Sequence, residues 1–297
     1  MSNQRKADLA LVLVTLFWGV SYYLVNLCLA ELQPMNLNAF RFLLAFLVLG
    51  PIFWKKLWNA SRATLKYSVI IGTLLVGVYA GATYGVAYTS ISNAGFICAL
   101  PVVFTPLLDF AVNRRKPGKK LAVALVMCTV GLALLTLNDQ FRPASGDLIC
   151  LVCAVCYAAD MLVTERAVAR PDVDAVTLGV CQLGVAGVLM LLVSALVEQP
   201  RLPLSPGVWG AAIFLGLFCS GIAFVIQSVA QQYTTASHVG VIFTLEPVFS
   251  GIVAYFFADE KLLPRGYVGA ALMLLSLLVM ETDWSGLLKK LRAGHGE

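Results

Sequence analysis

The sequence YTSISNAGFICALPVVFT at Tyr88–Thr105 recurs as YTTASHVGVIFTLEPVFS at Tyr233–Ser250, at a constant offset of 145 residues and without a gap. Tyr, Thr, Ser, Gly, Ile, Leu, Val and Phe stand at matching positions. A second match pairs Ala7–Asn26 with Gly146–Glu165 at an offset of 139 residues. Polar residues recur in place within both matches, which makes chance similarity of two apolar stretches the weaker explanation. The chain is therefore predicted to contain two copies of one unit.

The sequence around these matches is strongly apolar. Of 297 residues, 60% are apolar and 12% are charged, and the mean hydropathy is +0.85. A soluble fold needs far more charge on its surface. The composition therefore argues against an ordinary cytosolic enzyme and against a disordered or collagen-like chain, and it predicts a polytopic helical membrane protein. Lys and Arg lie in clusters between apolar runs, so no nucleic-acid partner is expected.

Ten apolar stretches are long enough to be membrane spans. They are residues 8–30, 37–58, 66–89, 91–112, 119–138, 146–168, 174–197, 207–231, 235–257 and 265–282. A count of nine stays open, because the junctions at 89–92 and 232–235 are very short. Each of the two apolar stretches that contain these junctions is, however, too long for one crossing.

The distribution of basic residues predicts the orientation. With the N-terminus inside, sixteen Lys and Arg residues fall in inner segments and four in outer loops, as the positive-inside rule requires. Arg5 and Lys6 precede an apolar run that continues to about Ala30 without a small-residue cleavage site, so this run is a retained first span rather than a signal peptide. We expect a multi-pass protein of the cell (inner) membrane with both termini in the cytoplasm.

The repeat and the span count together predict the domain organisation. We expect a first five-helix repeat at 1–140, a second at 144–284 and a basic cytoplasmic tail at 285–297. Because five is odd, the second repeat enters the membrane from the opposite side. The predicted fold is therefore an all-α polytopic membrane protein with ten transmembrane helices as two inverted five-helix repeats. Such repeats place a substrate site near the midplane and let one gate open while its mirror image closes.

Four short motifs resemble the drug/metabolite transporter superfamily, in its branch of EamA-type ten-span carriers. They are LFWG at Leu16–Gly19, the Arg-Phe-Leu-Leu run at Arg41–Leu44, LEPVFSG at Leu245–Gly251 and the Asp259–Leu262 end of span nine. The resemblance covers nearly the whole chain. It implies a central cavity lined by spans one, three, four, six, eight and nine, and export or uptake of small metabolites. Arg115 departs from the pattern, since family members often have an acidic residue there to match Glu260.

The six cavity-lining spans each place an aromatic or polar residue near the midplane, about 15 Å into the membrane at a rise of 1.5 Å per residue. The expected substrate-binding residues are Trp18, Tyr22, Tyr79, Pro101, Tyr157, Ser220 and Glu246. The aromatic side chains predict a cage for a cation or a flat ring. Ordinary packing of these rings is the alternative.

Glu246 is also the expected proton-coupling residue. A carboxylate inside a membrane is costly and faces a cavity or a partner. It can bind a proton or a cationic group, but not both at once, and this exclusion would couple the two. The alternative is a structural carboxyl group that is hydrogen-bonded to a tyrosine, with Pro247 marking a helix kink.

Three further residues are expected to act at a gate. His238 lies on the same helix face as Glu246 and is placed at the cytoplasmic mouth, and Asn93 is its mate in the first repeat. Asp160 lies nearer the inner side of span six. The alternatives are an exposed loop histidine and an aspartate that pairs with a lysine or arginine.

Other features have packing explanations. Arg41 begins span two near the outside, so it is expected to snorkel or to pair rather than to bind substrate. Small residues recur at helical spacing in spans three and six, as Gly77, Gly81 and Gly85, and as Cys150, Cys153 and Cys156. Both runs predict close helix packing, the alternatives being a sliding surface for the glycines and a metal or cluster site for the cysteines.

The predicted function is secondary active transport of a small metabolite by alternating access. A net acidic, aromatic midplane without basic groups favours an amino acid or amino-acid-like substrate, zwitterionic, cationic or aromatic, over a sugar phosphate. No G-x-x-x-x-G-K-[ST] loop is present, so we expect proton coupling or exchange rather than direct use of ATP. Export is the expected direction, and broad efflux of cationic drugs is the alternative.

An enzyme and a channel are the competing classes. The sequence has no H-E-x-x-H or G-x-S-x-G motif, and it has no signature of a charged ring or carbonyl filter. We therefore expect no enzymatic activity, no cofactor and no metal. The expected partners are a small-molecule substrate and membrane lipid, with the protein a monomer or weak homodimer.

Overall fold

Helices form all of the regular structure in residues 2–86, 88, 97–136, 145–257 and 263–281, which are the residues that the computed structural model describes. In chain order they are α1 (Asn3–Leu29), α2 (Pro34–Ile52), α3 (Trp54–Trp58), α4 (Arg62–Val86), α5 (Pro101–Asn113), α6 (Lys119–Thr136), α7 (Ser145–Val168), α8 (Ala175–Val197), α9 (Pro206–Phe214), α10 (Ala223–Ala230), α11 (Ala236–Phe243), α12 (Glu246–Phe257) and α13 (Pro264–Glu281). A π-helical segment, Leu215–Ile222, joins α9 to α10.

Seven helical stretches of the described residues are long and apolar enough to cross a membrane. Two of the seven are interrupted, Pro206–Ala230 by the π-helical segment and Ala236–Phe257 by a break between α11 and α12. The apolar helices Pro101–Asn113 and Pro264–Met280 are shorter. The prediction of an all-α polytopic membrane protein agrees with these helices, while the count of ten crossings stays a prediction.

Side-chain caps determine where several helices begin. The Asp174 carboxylate accepts a hydrogen bond from the Thr177 backbone nitrogen (2.8 Å) at the start of α8. The Thr235 hydroxyl oxygen accepts one from the His238 backbone nitrogen (3.3 Å) at the start of α11. Such caps satisfy backbone donors that have no partner inside the helix. The short junction between predicted spans eight and nine is therefore a helix boundary, and the other short junction, at 89–92, lies outside the described residues.

Contacts between helix termini define two ends of the bundle. At one, called here the Asp8 end, Asp8 near the start of α1 pairs with His238 near the start of α11. At the other, called the Glu198 end, Glu198 after α8 accepts hydrogen bonds from the backbone nitrogens of Met35 (2.9 Å) and Asn36 (2.8 Å) at the start of α2. Helix α1 runs from the Asp8 end to the Glu198 end, and α2 runs back.

Helices at matching positions in the two halves of the sequence run in opposite directions. Helix α7, the counterpart of α1, arrives at the Asp8 end, because Glu165 near its C-terminus accepts a hydrogen bond from the Ala236 backbone nitrogen (2.8 Å). Helix α8, the counterpart of α2, ends where α2 begins. Helix α5 ends at the Asp8 end, where Arg166 donates to Asn113, whereas its counterpart α12 leads away from that end.

The small-residue runs of α4 and α7 face each other. Three glycines meet three cysteines in the pairs Gly77–Cys156, Gly81–Cys153 and Gly85–Cys150. A Cβ atom on Gly81 would lie 2.7 Å from the backbone nitrogen of Cys153, a distance that real Cβ atoms do not show. The two helix backbones can approach this closely only because the glycines have no side chain. Close packing is what the packing interpretation predicts for each run, whereas the contact between the two runs is a finding of the structure.

Candidate functional site

The two sequence matches contain a helix break at the same position. In the second match, the Leu245 backbone nitrogen donates to the Ile242 carbonyl oxygen (3.0 Å), and α12 begins at Glu246. In the first match, 145 residues earlier, Leu100 makes the same bond (3.1 Å), and α5 begins at Pro101. Non-helical backbone at membrane depth is tolerated where it is enclosed by protein or lines a cavity. The break is therefore the place to look for a binding site.

Glu246 meets Tyr22 at this break. The Tyr22 hydroxyl lies within hydrogen-bonding reach of the Glu246 carboxylate, and α1 can approach because a Cβ on Gly19 would lie only 2.9 Å from the backbone of Phe249. Tyr22 keeps 56% of its surface accessible. The tyrosine contact fits the structural interpretation of Glu246, and the accessibility of Tyr22 fits the binding interpretation.

Arg41 lies buried in the same region, with 3% of its surface exposed. Its Nε donates to Ser220 Oγ (2.6 Å), its Nη2 lies 3.4 Å from the Cys219 carbonyl oxygen, and its guanidinium carbon lies 5.3 Å from the centroid of the Tyr79 ring. Ser220 and Cys219 belong to the π-helical segment, and such segments are frequent at functional sites. In the part of the chain that the structure describes, no carboxylate lies within 4.0 Å of the guanidinium.

The structure corrects two expectations about charge. Arg41 neither snorkels nor forms an ion pair among the described residues, because α2 begins at Pro34, three residues before the predicted span, and carries Arg41 deeper into the bundle. The midplane was expected to lack basic groups, yet the Arg41 charge acts on the Glu246 carboxyl group. The region thus contains one cation and one anion that do not pair with each other at ion-pair distance.

Trp18 lies at the centre of a cluster of aromatic rings. Its ring centroid is 4.8 Å from that of Phe243, 5.7 Å from Phe224 and 6.2 Å from Tyr157. Its indole nitrogen donates to the Cys219 carbonyl oxygen (2.8 Å), the same atom that the guanidinium contacts. Trp18 itself is buried, whereas Tyr157 is partly exposed. The indole therefore packs beside the site and holds the Cys219 carbonyl group of the π-helical segment in place.

Two polar contacts hold α11 at the Asp8 end. His238 Nε2 lies 3.3 Å from Asp8 Oδ1, and both side chains are buried. Glu165 accepts from the Ala236 backbone nitrogen (2.8 Å) and pairs with Arg115 Nη1 (3.0 Å). His238 is therefore a buried partner of α1 and not an exposed loop residue. Sequence reasoning missed Asp8 as its partner, because nothing in the local sequence connects two residues that lie so far apart in the chain.

Asp160 lies on α7 and is buried against α10, with 1% of its surface exposed. Its Oδ2 accepts a hydrogen bond from Gln227 Nε2 (3.2 Å). The expected alternative, a pair with lysine or arginine, is wrong for the described residues, since none of their ion pairs includes Asp160. Gln227 escaped the sequence analysis because it is uncharged, although its position within an apolar run was a usable signal.

The structure therefore brings most of the predicted site residues together. Tyr22 meets Glu246, Trp18 meets Tyr157, and Arg41 joins Tyr79 to Ser220. Pro101 is buried at the start of α5. The predicted gate residue Asn93, the boundary between the predicted repeats at 140–144 and the predicted tail at 285–297 lie outside the described residues.

Comparison with known proteins gives a consistent result. The EamA-like transporter family matches the chain twice, over residues 5–137 and 144–282. Two uncharacterized transporters of Archaeoglobus fulgidus are each 27% identical to the chain, one over 274 residues (92% of this chain and 85% of the relative) and one over 264 residues (86% and 90%).

A solved crystal structure of a protein superposes with a TM-score of 0.78 at 19% identity and covers 93% of this chain and 96% of the other, which shows a shared fold. The family and the names of the relatives indicate a transporter rather than an enzyme. The chain has several helices able to cross a membrane, and it belongs to the EamA-like transporter family.

Proposed function

We propose that the protein is a secondary active transporter that moves a small zwitterionic, amino-acid-like metabolite across the plasma membrane by alternating access. The observation that carries the proposal is the presence of Arg41 and Glu246, two opposite charges that do not pair with each other, beside a helix break. Arg41 binds the substrate carboxylate, and Glu246 binds its ammonium group. Tyr22 and Tyr79 flank the two charges.

The proposed architecture is ten transmembrane helices in two inverted five-helix repeats. Three observations support it: the family matches the chain twice, the counterpart helices run in opposite directions, and the hydrogen bonds at the two helix breaks recur at one offset. The clusters of Lys and Arg support cytoplasmic termini in the cell (inner) membrane.

The chemistry of the two charged groups favours a zwitterion. A guanidinium binds a carboxylate through parallel hydrogen bonds, and Arg41 uses only Nε and Nη2 for the contacts with Ser220 and Cys219. A cation without a carboxylate would leave the guanidinium unpaired, and an anion without an amine would face the Glu246 carboxylate. This argument places broad efflux of cationic drugs second.

Gating follows from the contacts at the Asp8 end. In this conformation the Asp8–His238 and Glu165–Ala236 contacts close that end, while Tyr22 stays accessible. Opening the Asp8 end requires α11 to separate from α1 and α7. His238 and Asp160 are the proposed gate residues of this end, and Asn93 remains the proposed counterpart of His238.

Coupling follows from competition at one carboxylate. Glu246 binds either the substrate ammonium group or a proton, so release of one accompanies binding of the other. A proton gradient then drives export, or a second substrate molecule drives exchange. Ser220 and Trp18 are positioning residues, because they hold Arg41 and the Cys219 carbonyl.

The test is uptake by proteoliposomes that contain the full chain, with phenylalanine, phenethylamine and 3-phenylpropionate as probes under an imposed pH gradient. These probes share one ring and differ only in charged groups. We expect phenylalanine to be transported best, and Glu246→Gln to lower its flux about tenfold or more because an ammonium loses its counter-charge.

The matched control is Asp172→Asn, a surface carboxylate that pairs with Arg170. Preference for phenethylamine over phenylalanine would favour the drug-efflux alternative. Undiminished coupled flux of phenylalanine in Glu246→Gln would remove Glu246 from the mechanism.

A further inference from the structure

Four polar side chains lie on the facing surfaces of α7 and α10, in the half of the bundle towards the Asp8 end. Asp160 and Thr164 are one helical turn apart on α7, and Gln227 on α10 is one turn before Gln231, the residue that follows this helix. Gln227 Nε2 donates to Asp160 Oδ2 (3.2 Å), and Gln231 Nε2 donates to the Met161 carbonyl oxygen (2.8 Å). All four side chains are more than nine-tenths buried.

Several polar atoms of these side chains have no hydrogen-bond partner in the described part of the chain. Asp160 Oδ1, Thr164 Oγ1, Gln227 Oε1 and Gln231 Oε1 have no hydrogen-bond partner among the described residues. Both amide groups already use a nitrogen as donor. Buried polar atoms in folded proteins are rarely left without partners, so these four unpartnered atoms require an explanation.

No described residue near Asp160 supplies a compensating positive charge at ion-pair distance. Helices α4, α5, α10 and α11 pack against α7, and none of them presents a Lys, Arg or His within ion-pair distance of Asp160 among the described residues. The titratable groups that interact with Asp160 are Cys156 and Tyr157 on its own helix. A carboxylate buried without a counter-charge is strongly unfavourable, and binding a proton removes that charge.

We propose that Asp160 is a second proton-binding site, distinct from Glu246, and that it carries a proton in the conformation closed at the Asp8 end. The proton forms an O–H bond at Oδ1, and Gln227 keeps its hydrogen bond to Oδ2. The new O–H group supplies a donor to a region in which the carbonyl oxygens of Gln227 and Gln231 have no hydrogen-bond partner among the described residues. The site rests on the proposed function for its role: when α7 and α10 separate at the Asp8 end, the O–H bond breaks and the proton passes to water.

This assignment divides two tasks between two carboxyl groups. Glu246 has the Tyr22 hydroxyl and the Arg41 charge beside it, so it suits exchange of an ammonium group for a proton. Asp160 accepts a hydrogen bond from one amide group, and among the described residues no basic side chain pairs with it to form a second charge for a substrate. Asp160 therefore binds the proton alone and links its release to opening of the Asp8 end.

The experiment is infrared difference spectroscopy of the full chain in lipid nanodiscs, which detects the C=O stretch of protonated carboxyl groups. We expect Asp160→Asn to abolish one such band and Gln227→Leu to shift the same band, because that variant removes a hydrogen bond and keeps the carboxyl group. Glu246→Gln identifies any band of Glu246, and Asp172→Asn is the control for an ionised surface carboxylate. Each spectrum is recorded in choline chloride and in sodium chloride.

The proposal is overturned if Asp160→Asn leaves every protonated-carboxyl band in place, or if sodium chloride alone abolishes the Asp160 band, which would assign the site to a sodium ion. Gln227→Leu provides the same decision if Asp160→Asn does not fold. In proteoliposomes, Asp160→Asn should reduce proton-driven accumulation of phenylalanine to the level without a gradient, while its phenylalanine binding falls less than that of Glu246→Gln. Wild-type protein with the band but without phenylalanine flux would refute the proposed function and leave the proton assignment in place.

Discussion

Glu246 and Asp160 are two carboxyl groups within one helix bundle, and their surroundings differ in one respect that decides what each can bind. Glu246 begins a helix, lies within reach of the Tyr22 hydroxyl and is influenced by the Arg41 charge. Asp160 lies within a helix and has one amide donor, with no basic group paired to it among the described residues. The first environment offers a carboxylate a hydroxyl group and a nearby positive charge, whereas the second offers it one amide donor.

The comparison teaches that a buried acidic residue cannot be assigned a role from its depth alone. Both residues were expected to act in transport because both lie within spans, Glu246 near the midplane and Asp160 nearer the inner side, but this difference in depth does not show what each carboxyl group binds. Their neighbours on other helices do. Helices α1 and α2 bring a hydroxyl group and a guanidinium to Glu246, whereas α10 brings the amide group of Gln227 to Asp160.

The largest effect is expected from Arg41→Leu, which removes the charge that distinguishes the two environments. Glu246 would then resemble Asp160, and a zwitterion would lose the partner of its carboxylate. We expect phenylalanine to bind about 30-fold more weakly or worse, since loss of one member of a buried charge pair costs about 2–5 kcal/mol. Titration of the full chain in nanodiscs measures this affinity.

Arg41→Lys is the matched control for this prediction. It keeps the positive charge and loses the planar fork that contacts Ser220 and Cys219, so its affinity should fall between those of the wild type and Arg41→Leu. Unchanged affinity in Arg41→Leu would show that the carboxylate binds elsewhere, and the comparison with Asp160 would lose its basis.

A smaller effect is expected from Tyr22→Phe, which removes only the hydroxyl group beside Glu246. One hydrogen bond to a charged group contributes about 1.5–3 kcal/mol, and the accessibility of Tyr22 places the expected loss near the lower figure, because water replaces the hydroxyl. Phenylalanine affinity should therefore fall about tenfold. Tyr23→Phe is the control, since Tyr23 is also partly exposed and its ring lies against Phe257. An equal loss in both variants would mean that the hydroxyl at Tyr22 has no specific role.

The repeat in the sequence relates the local structure at Glu246 to that at Pro101. The match at one constant offset places Glu246 opposite Pro101, and the structure gives both residues the first position of a helix that follows a break. The all-helical class and the small-residue faces of the glycine and cysteine runs also follow from local sequence, because hydropathy and helical spacing are properties of consecutive residues.

The missed residues depend on contacts between distant parts of the chain. Arg41 was placed near the surface because the predicted span began at 37, whereas α2 begins at Pro34. Asp8 finds His238, and Asp160 finds Gln227, through the packing of separate helices. No periodicity in the sequence encodes which helix faces which, so such partners emerge only from the fold.

The smallest effect is expected at Asp174, a partly exposed carboxylate that extends the comparison to the surface of the protein. Asp174 precedes α8, accepts hydrogen bonds from the Thr177 backbone nitrogen (2.8 Å) and hydroxyl (2.7 Å), and pairs with Lys56 Nζ (3.1 Å). Partial burial opposes its ionisation, but the Thr177 donors and the Lys56 charge outweigh burial and hold the pKa of Asp174 below its usual range.

A carboxylate with a lowered pKa stabilises the fold above its unfolded pKa of about 3.9, and this contribution disappears as the pH falls through the lower folded value. Asp174→Asn keeps a capping side chain and removes the charge, so at neutral pH it should lower the free energy of unfolding by about 0.5–1 kcal/mol, less at high salt because the pair is half exposed. Thermal melts of both proteins from about pH 7 to about pH 3 should therefore converge as the wild-type carboxylate is protonated.

Lys56→Gln is the control that removes the ion pair and leaves the cap in place. A difference between Asp174→Asn and the wild type that persists or grows in acid would mean that the charge at Asp174 is not what stabilises this end of α8. The contacts of a carboxyl group would then be a poor guide to its role even at Asp174, which has the most partners of the three.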